Sequence, residues 1–167
     1  MRIGSLQALY LDELRALYDA ETQILRALPR FIELIRARDL RDALDKHWLE
    51  SRLHLDRLEL IFTHRGERLV PRSCAGLHGI VQEADDRVNE PVTPEVRDAL
   101  IIGSAQRLEH YEIASYGVVC RFARRLSRHD EARLLQETLD EESRADRRLG
   151  ELAEAAEPIE VESARAR

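Results

Sequence analysis

The sequence contains little of what disulfide-stapled, turn-rich or membrane-spanning proteins require. Of its 167 residues, 7 are glycine, 5 are proline and 2 are cysteine, and Cys74 and Cys120 show no paired spacing. No stretch approaches the roughly 18 consecutive apolar residues of a membrane span. Residues Met1 to Glu13 carry charge and lack the apolar core of a secretory signal. These absences predict a reduced, cytoplasmic protein that neither crosses nor binds a membrane.

Lysine is almost absent as well, since Lys46 is the only one among 26 basic residues. The formal net charge of −6 argues against a general nucleic-acid surface. With 44% hydrophobic and 35% charged residues, the composition is typical of a helical protein with solvated outer faces. Its length suits one domain. We expect residues 1–157 to form it and residues 158–167 to be a frayed tail.

Apolar residues recur at helical spacing in the first half of the chain. They predict a first helix from about Ser5 to Ile35 and a second helix that Asp39 caps and Gly66 stops. The composition differs in residues 67–93, where prolines and glycines surround a short helical pattern at residues 77–88. We interpret this segment as a crossover between two helical hairpins.

The second half begins with a strong helix-start signal, Thr93 followed by a proline. A third helix is predicted to run to about Leu126. Either Ser127 or Asp130 is expected to cap a fourth helix that continues to about Ala155. The predicted fold is therefore all-α, a ferritin-like four-helix bundle of two antiparallel hairpins with a short fifth helix in the crossover.

Acidic residues interrupt the apolar stripe on each long helix, at similar distances from the expected turns near Arg38 and Arg128. A buried carboxylate must become protonated, pair with a cation or bind metal. Since four helices present this layer together, we predict a carboxylate-rich centre with two metal ions per chain. The predicted ligands are Glu21, Glu50, His54, Glu109, Glu112 and Glu142.

Neighbouring residues provide alternatives to this set. Glu141 could replace Glu142 if the fourth helix is rotated, and His47, one turn from the proposed layer, is expected to support the ligands from outside. Each glutamate could instead pair with one of the many arginines, and a lone histidine could be a hydrogen-bonded core residue. Further candidates for ligation or for hydrogen bonds to the ligands are Asp146, Tyr18 and Tyr116.

Several segments resemble the ferritin-like YciE/YciF family of bacterial stress-associated proteins, over about Leu9 to Leu152. The resemblance implies a ferritin-like bundle that is often dimeric and has a dinuclear metal site. Its most specific part is the run Glu-His-Tyr-Glu-Ile-Ala-x-Tyr-Gly at residues 109–117. The other matching segments are Leu17-Tyr-Asp-Ala-Glu21 with Ala27-Leu-Pro29, Glu50-Ser-Arg-Leu-His54 leading to Arg57-Leu-Glu59, and Leu135-Gln-Glu-Thr-Leu-Asp-Glu-Glu142.

The spacing of the candidate ligands departs from the wider ferritin pattern. Ferritin-like di-iron sites commonly use Glu-x-x-His in both halves, whereas Glu50 and His54 are four residues apart and Glu142 has no histidine partner downstream. Four-residue spacing still keeps both side chains on one helix face. A site with few imidazoles and many carboxylates suits iron, with Mn, Zn or Mg as alternatives.

Two functions of different classes follow from this pattern. The first is a di-iron protein with ferroxidase activity, or one that consumes peroxide or dioxygen, in the bacterial stress response. The second is a homodimeric structural or interaction module whose buried carboxylates bind a redox-inert ion or arginines. Bound iron that cycles with an oxidant distinguishes the two.

Overall fold

The computed structural model describes residues 3–155, which form five helices and no strand. This result confirms the all-α prediction. The tail predicted at residues 158–167 lies outside the described residues. None of the helices in residues 3–155 has the length and apolar composition that a membrane crossing requires. The helices are α1 (Leu6–Leu34), α2 (Arg38–His64), α3 (Ala75–Val88), α4 (Pro94–Arg125) and α5 (His129–Ala155).

Short connections make two hairpins of the four long helices. Residues 35–37 join α1 to α2, and residues 126–128 join α4 to α5. Helix α1 also packs on α4, and α2 packs on α5, so the four helices surround one interior. Helix α3, in the crossover, covers α1 and α4. The predicted bundle, with a fifth helix in the crossover, is therefore confirmed.

Local capping signals fixed several helix ends. The Ser5 hydroxyl accepts a hydrogen bond from the Ala8 amide at 3.1 Å, and the Thr93 hydroxyl accepts one from the Val96 amide at 3.3 Å. Gly66, just beyond α2, has a φ of 61°, the left-handed conformation that commonly ends a helix. The predicted start at Thr93 and stop at Gly66 are both confirmed.

The turn between α1 and α2 is capped from a distant part of the chain. Asp39, the predicted cap, lies in the first turn of α2, so that prediction is wrong. The carboxylate of Asp98, on α4, instead accepts hydrogen bonds from the Arg36 amide at 3.0 Å and the Ala37 amide at 2.8 Å. The start of α2 has no side-chain cap from its own N-cap residue. Since Asp98 belongs to α4, its hydrogen bonds fix the first hairpin against the second.

The turn between α4 and α5 differs from both predicted caps. Ser127 has a φ of 57° and lies where a glycine usually ends a helix. The Arg128 amide donates to the Ala123 carbonyl across it at 2.8 Å, which closes the end of α4. Asp130 lies inside the first turn of α5. Ser127 therefore terminates α4 and neither residue is the N-cap of α5.

Pro29 lies within α1 without ending it. Proline has no amide hydrogen, so the Leu25 carbonyl one turn earlier loses its helical partner. The indole nitrogen of Trp48, on α2, donates to that carbonyl at 3.2 Å. A polar group that the sequence of α1 leaves unpaired is thus satisfied by the neighbouring helix.

Two separate apolar clusters fill the interior, and the polar layer lies between them. One contains Leu28, Leu44 and Ile101, and the other contains Leu14 and Leu58. Each cluster takes residues from both hairpins. The acidic layer is therefore bounded by apolar side chains on both sides along the bundle.

Candidate metal centre

Six ionisable side chains meet in the middle of the bundle, and none is more than 3% exposed. They come from all four long helices. Burying so many carboxylates is unfavourable unless protons or cations neutralise them. The six residues are Glu21 on α1, His47 and His54 on α2, Glu109 and Glu112 on α4, and Glu142 on α5.

One group of potential ligands is formed by His47, Glu109, Glu112 and Glu142. Each offers one nitrogen or oxygen atom, and these atoms all lie within 4.8 Å of one another. The Nε2 atom of His47 is 3.3 Å from Glu109 Oε1, and its Nδ1 atom is 3.8 Å from Glu142 Oε2. Three carboxylates and one imidazole at such separations could hold a metal ion.

A second group is formed by Glu21, His54 and Glu142, again within 4.8 Å of one another. The Nδ1 atom of His54 is 3.1 Å from Glu21 Oε1 and 2.9 Å from Glu142 Oε1. A single proton on Nδ1 can be donated to only one of these two carboxylates, and the geometry fits a hydrogen bond to Glu21. Glu142 belongs to both groups, and its two oxygens face different histidines.

Few hydrogen-bond donors surround the buried carboxylate oxygens, as expected of a site that binds a cation. Among the described residues, both oxygens of Glu112 and of Glu142 lack a hydrogen-bond partner. One oxygen of Glu21, one of Glu109 and both ring nitrogens of His47 lack one too. Buried polar atoms are normally paired. A metal ion would satisfy these atoms together, so the residues fit such a group.

Protons compensate part of the charge in the metal-free protein. Burial raises the pKa of Glu109 and Glu112 well above the usual range, and the charge of Glu142 raises it further. Burial would also raise the pKa of Glu142, but the close contact of His54 and the charges of both histidines lower it. The carboxyls of the cluster therefore differ in pKa, with those of Glu109 and Glu112 raised and that of Glu142 lowered.

His54 carries the opposite charge in this balance. Burial lowers the pKa of its imidazole, but the charge of Glu21 and hydrogen bonds with the surrounding carboxylates raise it to about 12. A cation bound at Nδ1 would replace the proton on that nitrogen. Metal binding here is therefore coupled to proton release.

A second layer of residues holds His54 and Glu21 in place. Glu141 accepts a hydrogen bond at Oε2 from His54 Nε2 at 3.0 Å. The Arg57 guanidinium donates hydrogen bonds to both oxygens of the same carboxylate. Burial would raise the pKa of Glu141, but these hydrogen bonds from His54 and Arg57 lower it to about 2. The Tyr116 hydroxyl donates to Glu21 Oε1 at 2.6 Å. Such contacts fix ring and carboxylate orientation around a metal.

Besides Glu141 and Tyr116, three more residues considered from the sequence lie outside both groups. Glu50 is paired with Lys46 at 2.8 Å, and its side chain is 16% exposed at the edge of the layer. Asp146 contacts the exposed His110 at 3.2 Å. Tyr18 donates to Glu59 at 2.7 Å on the surface. None of these contacts reaches the buried cluster.

His47, which was predicted to support the ligands from outside the layer, lies within the buried cluster. The structure places His47 inside the first group, while Glu50, one turn further along α2, is set apart. Glu109 and Glu112 are themselves almost one turn apart, so the cluster extends along the bundle axis. The seven-residue spacing of His47 and His54, two turns on one face, is the signal that points to this pair.

Solved structures share this fold over most of the chain. YcfI from Rhodopseudomonas palustris has a TM-score of 0.86 and 37% identity, covering 89% of this chain and 94% of the other. The crystal structure of the Escherichia coli stress protein YciF has a TM-score of 0.86 and 32% identity, with 90% and 95% covered. A protein from Xanthomonas campestris, at 16% identity and a TM-score of 0.72, shows the fold alone.

Sequence comparison gives the same result as the fold. Protein YciF of Escherichia coli (strain K12) is 32% identical over 154 residues, which cover 92% of this chain and 93% of the relative. A family model described as a domain of unknown function, DUF892, matches residues 5–162. The resemblance noted in the sequence is confirmed, and the chain belongs to the DUF892 family.

Proposed function

We propose that this member of the DUF892 family binds two iron ions in the bundle interior, one at each group of ligands. The observation that carries the proposal is the position of Glu142, which belongs to both groups and has no hydrogen bond on either oxygen. A carboxylate shared in this way suits a bridge between two cations. One histidine serves each group, His47 in the first and His54 in the second.

Iron suits the ligand set, because carboxylate oxygens are hard ligands and each group adds one imidazole. Manganese, zinc and magnesium have overlapping preferences, so they are the competing ions in any binding test. Cysteine takes no part in either group. Soft thiophilic ions are therefore disfavoured at this centre.

We further propose a redox role in bacterial stress defence in the cytoplasm, with peroxide or dioxygen as the substrate. Two ferrous ions would supply the two electrons that reduce hydrogen peroxide, with two protons, to two molecules of water. The Escherichia coli relative is described as a stress protein. In this chain, apolar clusters lie on both sides of the layer, and Tyr116 and Glu141 fix the orientation of Glu21 and His54.

Anaerobic titration with ferrous iron tests the proposal. We expect two equivalents bound to wild type and at most one to Glu142→Gln, because the amide cannot bridge two cations. Glu154→Gln, an exposed change on the same helix, is the matched control and should still bind two. Hydrogen peroxide added afterwards should oxidise two bound ions per molecule. Less than one equivalent in wild type would refute the metal centre, and two equivalents that peroxide does not oxidise would refute the redox role.

A structural or interaction role is the second candidate. Leu49, Leu53 and Leu60 lie along the outer side of α2, and each is at least 40% exposed. A homodimer, the assembly that the family resemblance implies, could bury such a stripe. Sedimentation equilibrium of wild type and of Leu53→Arg tests this: we expect a dimer that the arginine dissociates, and a monomeric wild type would refute it.

The form of this alternative in which arginines neutralise the carboxylates has less support. Within residues 3–155, the ion pairs of Glu21, Glu109 and Glu142 are made with histidines, and Arg57 pairs with Glu137 and Glu141 instead. A bound cation is therefore the better counter-charge for the buried cluster.

A further inference from the structure

A narrow cleft between α2 and α5 connects the surface with one end of the buried cluster. Its volume is about 50 Å³. His47 and Glu109, which are buried, form its inner end, and Lys46 and Arg144, which are exposed, lie at its mouth. The cleft thus reaches the first group of ligands directly. His54 and Glu21, of the second group, do not line it.

The size of the cleft limits what can enter. One water-sized molecule needs roughly 10–15 Å³ of such space, so the cleft accommodates roughly three to five of them. An organic substrate does not fit. Ala43 and Ala145 form part of the wall, and these small side chains keep it open. The class of ligand is therefore an ion or molecule of about two to four atoms.

The charge at the mouth favours anions. Lys46 is paired with Glu50 at 2.8 Å, and Arg148 with Glu151 at 3.2 Å, so these two cations are largely balanced. Arg144 is exposed and has no ion pair among the described residues, which leaves its charge uncompensated at the entrance. A positive entrance raises the local concentration and the association rate of small anions.

The other end of the cluster is closed to such a ligand. His54 is fully buried, and both of its ring nitrogens face carboxylates, with Glu141 covering the outer nitrogen. Arg57 and Tyr116 fill the space around that pair. Access to the two groups of ligands is therefore unequal.

We propose that this cleft is the entry route for a small anion, which binds the metal ion held by His47 and leaves the ion held by His54 without an external ligand. The inference rests on the proposed metal centre. It adds the class of ligand, the route and the choice between the two ions. It also assigns Arg144 the role of attracting the ligand and Ala145 that of keeping the route open.

Azide binding to the cobalt(II)-loaded protein tests the inference, and the cobalt count comes first. We expect two cobalt ions per chain and a visible spectrum in which azide changes the bands of one ion only. Arg144→Glu should weaken azide binding three- to tenfold at low ionic strength, and the difference should shrink in 0.5 M salt. Arg147→Glu makes the same charge change on the same helix, outside the cleft, and should alter binding less than twofold.

A larger side chain in the wall of the cleft provides a second test of the route. Ala145→Leu should slow azide binding at least tenfold while two cobalt ions remain bound, and the exposed Ala153→Leu on the same helix should leave the rate unchanged. If cobalt is absent from wild type, both the metal centre and this inference fail. If two ions bind but azide perturbs both equally, fails to bind, or responds alike to Arg144→Glu and Arg147→Glu, the inference alone is overturned.

Discussion

Replacing Glu112 with glutamine should stabilise the metal-free protein, although it changes a fully buried residue. The side chain is 0% exposed, and burial and the charges of Glu142, Glu21 and Glu109 raise its pKa. The folded protein therefore keeps the proton on this carboxyl to a higher pH than the unfolded chain does. Folding must take up a proton, and this uptake becomes less favourable as the pH rises.

The magnitude follows from the reference pKa. An unfolded glutamate titrates near a pKa of about 4.3, and each pH unit is worth about 1.36 kcal/mol, so at pH 7 the proton uptake costs at most about 4 kcal/mol. Glutamine avoids this cost, because its amide is neutral in both the folded and the unfolded state. Imperfect amide geometry offsets part of the gain. We expect a net stabilisation of about 2 kcal/mol, which for a chain of this size raises the Tm by roughly 4–8 °C.

The stabilisation by Glu112→Gln should increase with pH. A raised acid pKa contributes stability that is fully present below the unfolded pKa and is lost as pH rises towards the folded pKa. The Tm difference between Glu112→Gln and wild type should therefore be near zero at pH 4 and grow towards pH 8. Thermal denaturation after chelator treatment measures it. Glu33→Gln, an exposed change on α1, is the control and should shift the Tm by less than about 2 °C, in line with a surface substitution.

With metal bound, wild type should have a higher Tm than Glu112→Gln. A ligand at about 100 times its Kd stabilises the folded state by about 2.7 kcal/mol, and wild type should gain more of this than the variant. A lower Tm for chelator-treated Glu112→Gln at pH 7, or a difference that does not vary with pH, would contradict the reasoning. Either result would mean that the carboxyl is ionised and paired in the folded protein.

Two further predictions concern the turns that position the hairpins. Asp98→Ala leaves the Arg36 and Ala37 amides without their acceptor, so the free energy of unfolding in urea should fall by about 2 kcal/mol, and by less in Asp98→Asn; an unchanged midpoint would contradict this capping role. Ser127→Gly relieves a left-handed backbone at a φ of 57° and should raise the free energy of unfolding by about 0.5–1 kcal/mol. A loss of stability in that variant would show that the serine side chain makes a larger contribution than the backbone strain.

Local sequence signals predicted the elements of the fold well, because helix periodicity and caps act over a few residues. Thr93 and Gly66 specify their helix ends through hydrogen bonds and dihedral angles within one turn. The inward position of Glu109, Glu112 and Glu142 was also readable, since each takes a place in an apolar stripe of its own helix. Their role as ligands remains a prediction.

The sequence by itself thus determined which residues are helical and which face of each helix is buried. Only the tertiary structure decided which buried residues meet. It placed His47 rather than Glu50 beside Glu109, and it supplied a cap for the first hairpin turn from Asp98, 61 residues away from Ala37. The physical reason is that side-chain packing between helices sets their rotation and their offset along the bundle, and a shift of one turn, about 5.4 Å, exchanges one potential ligand for another.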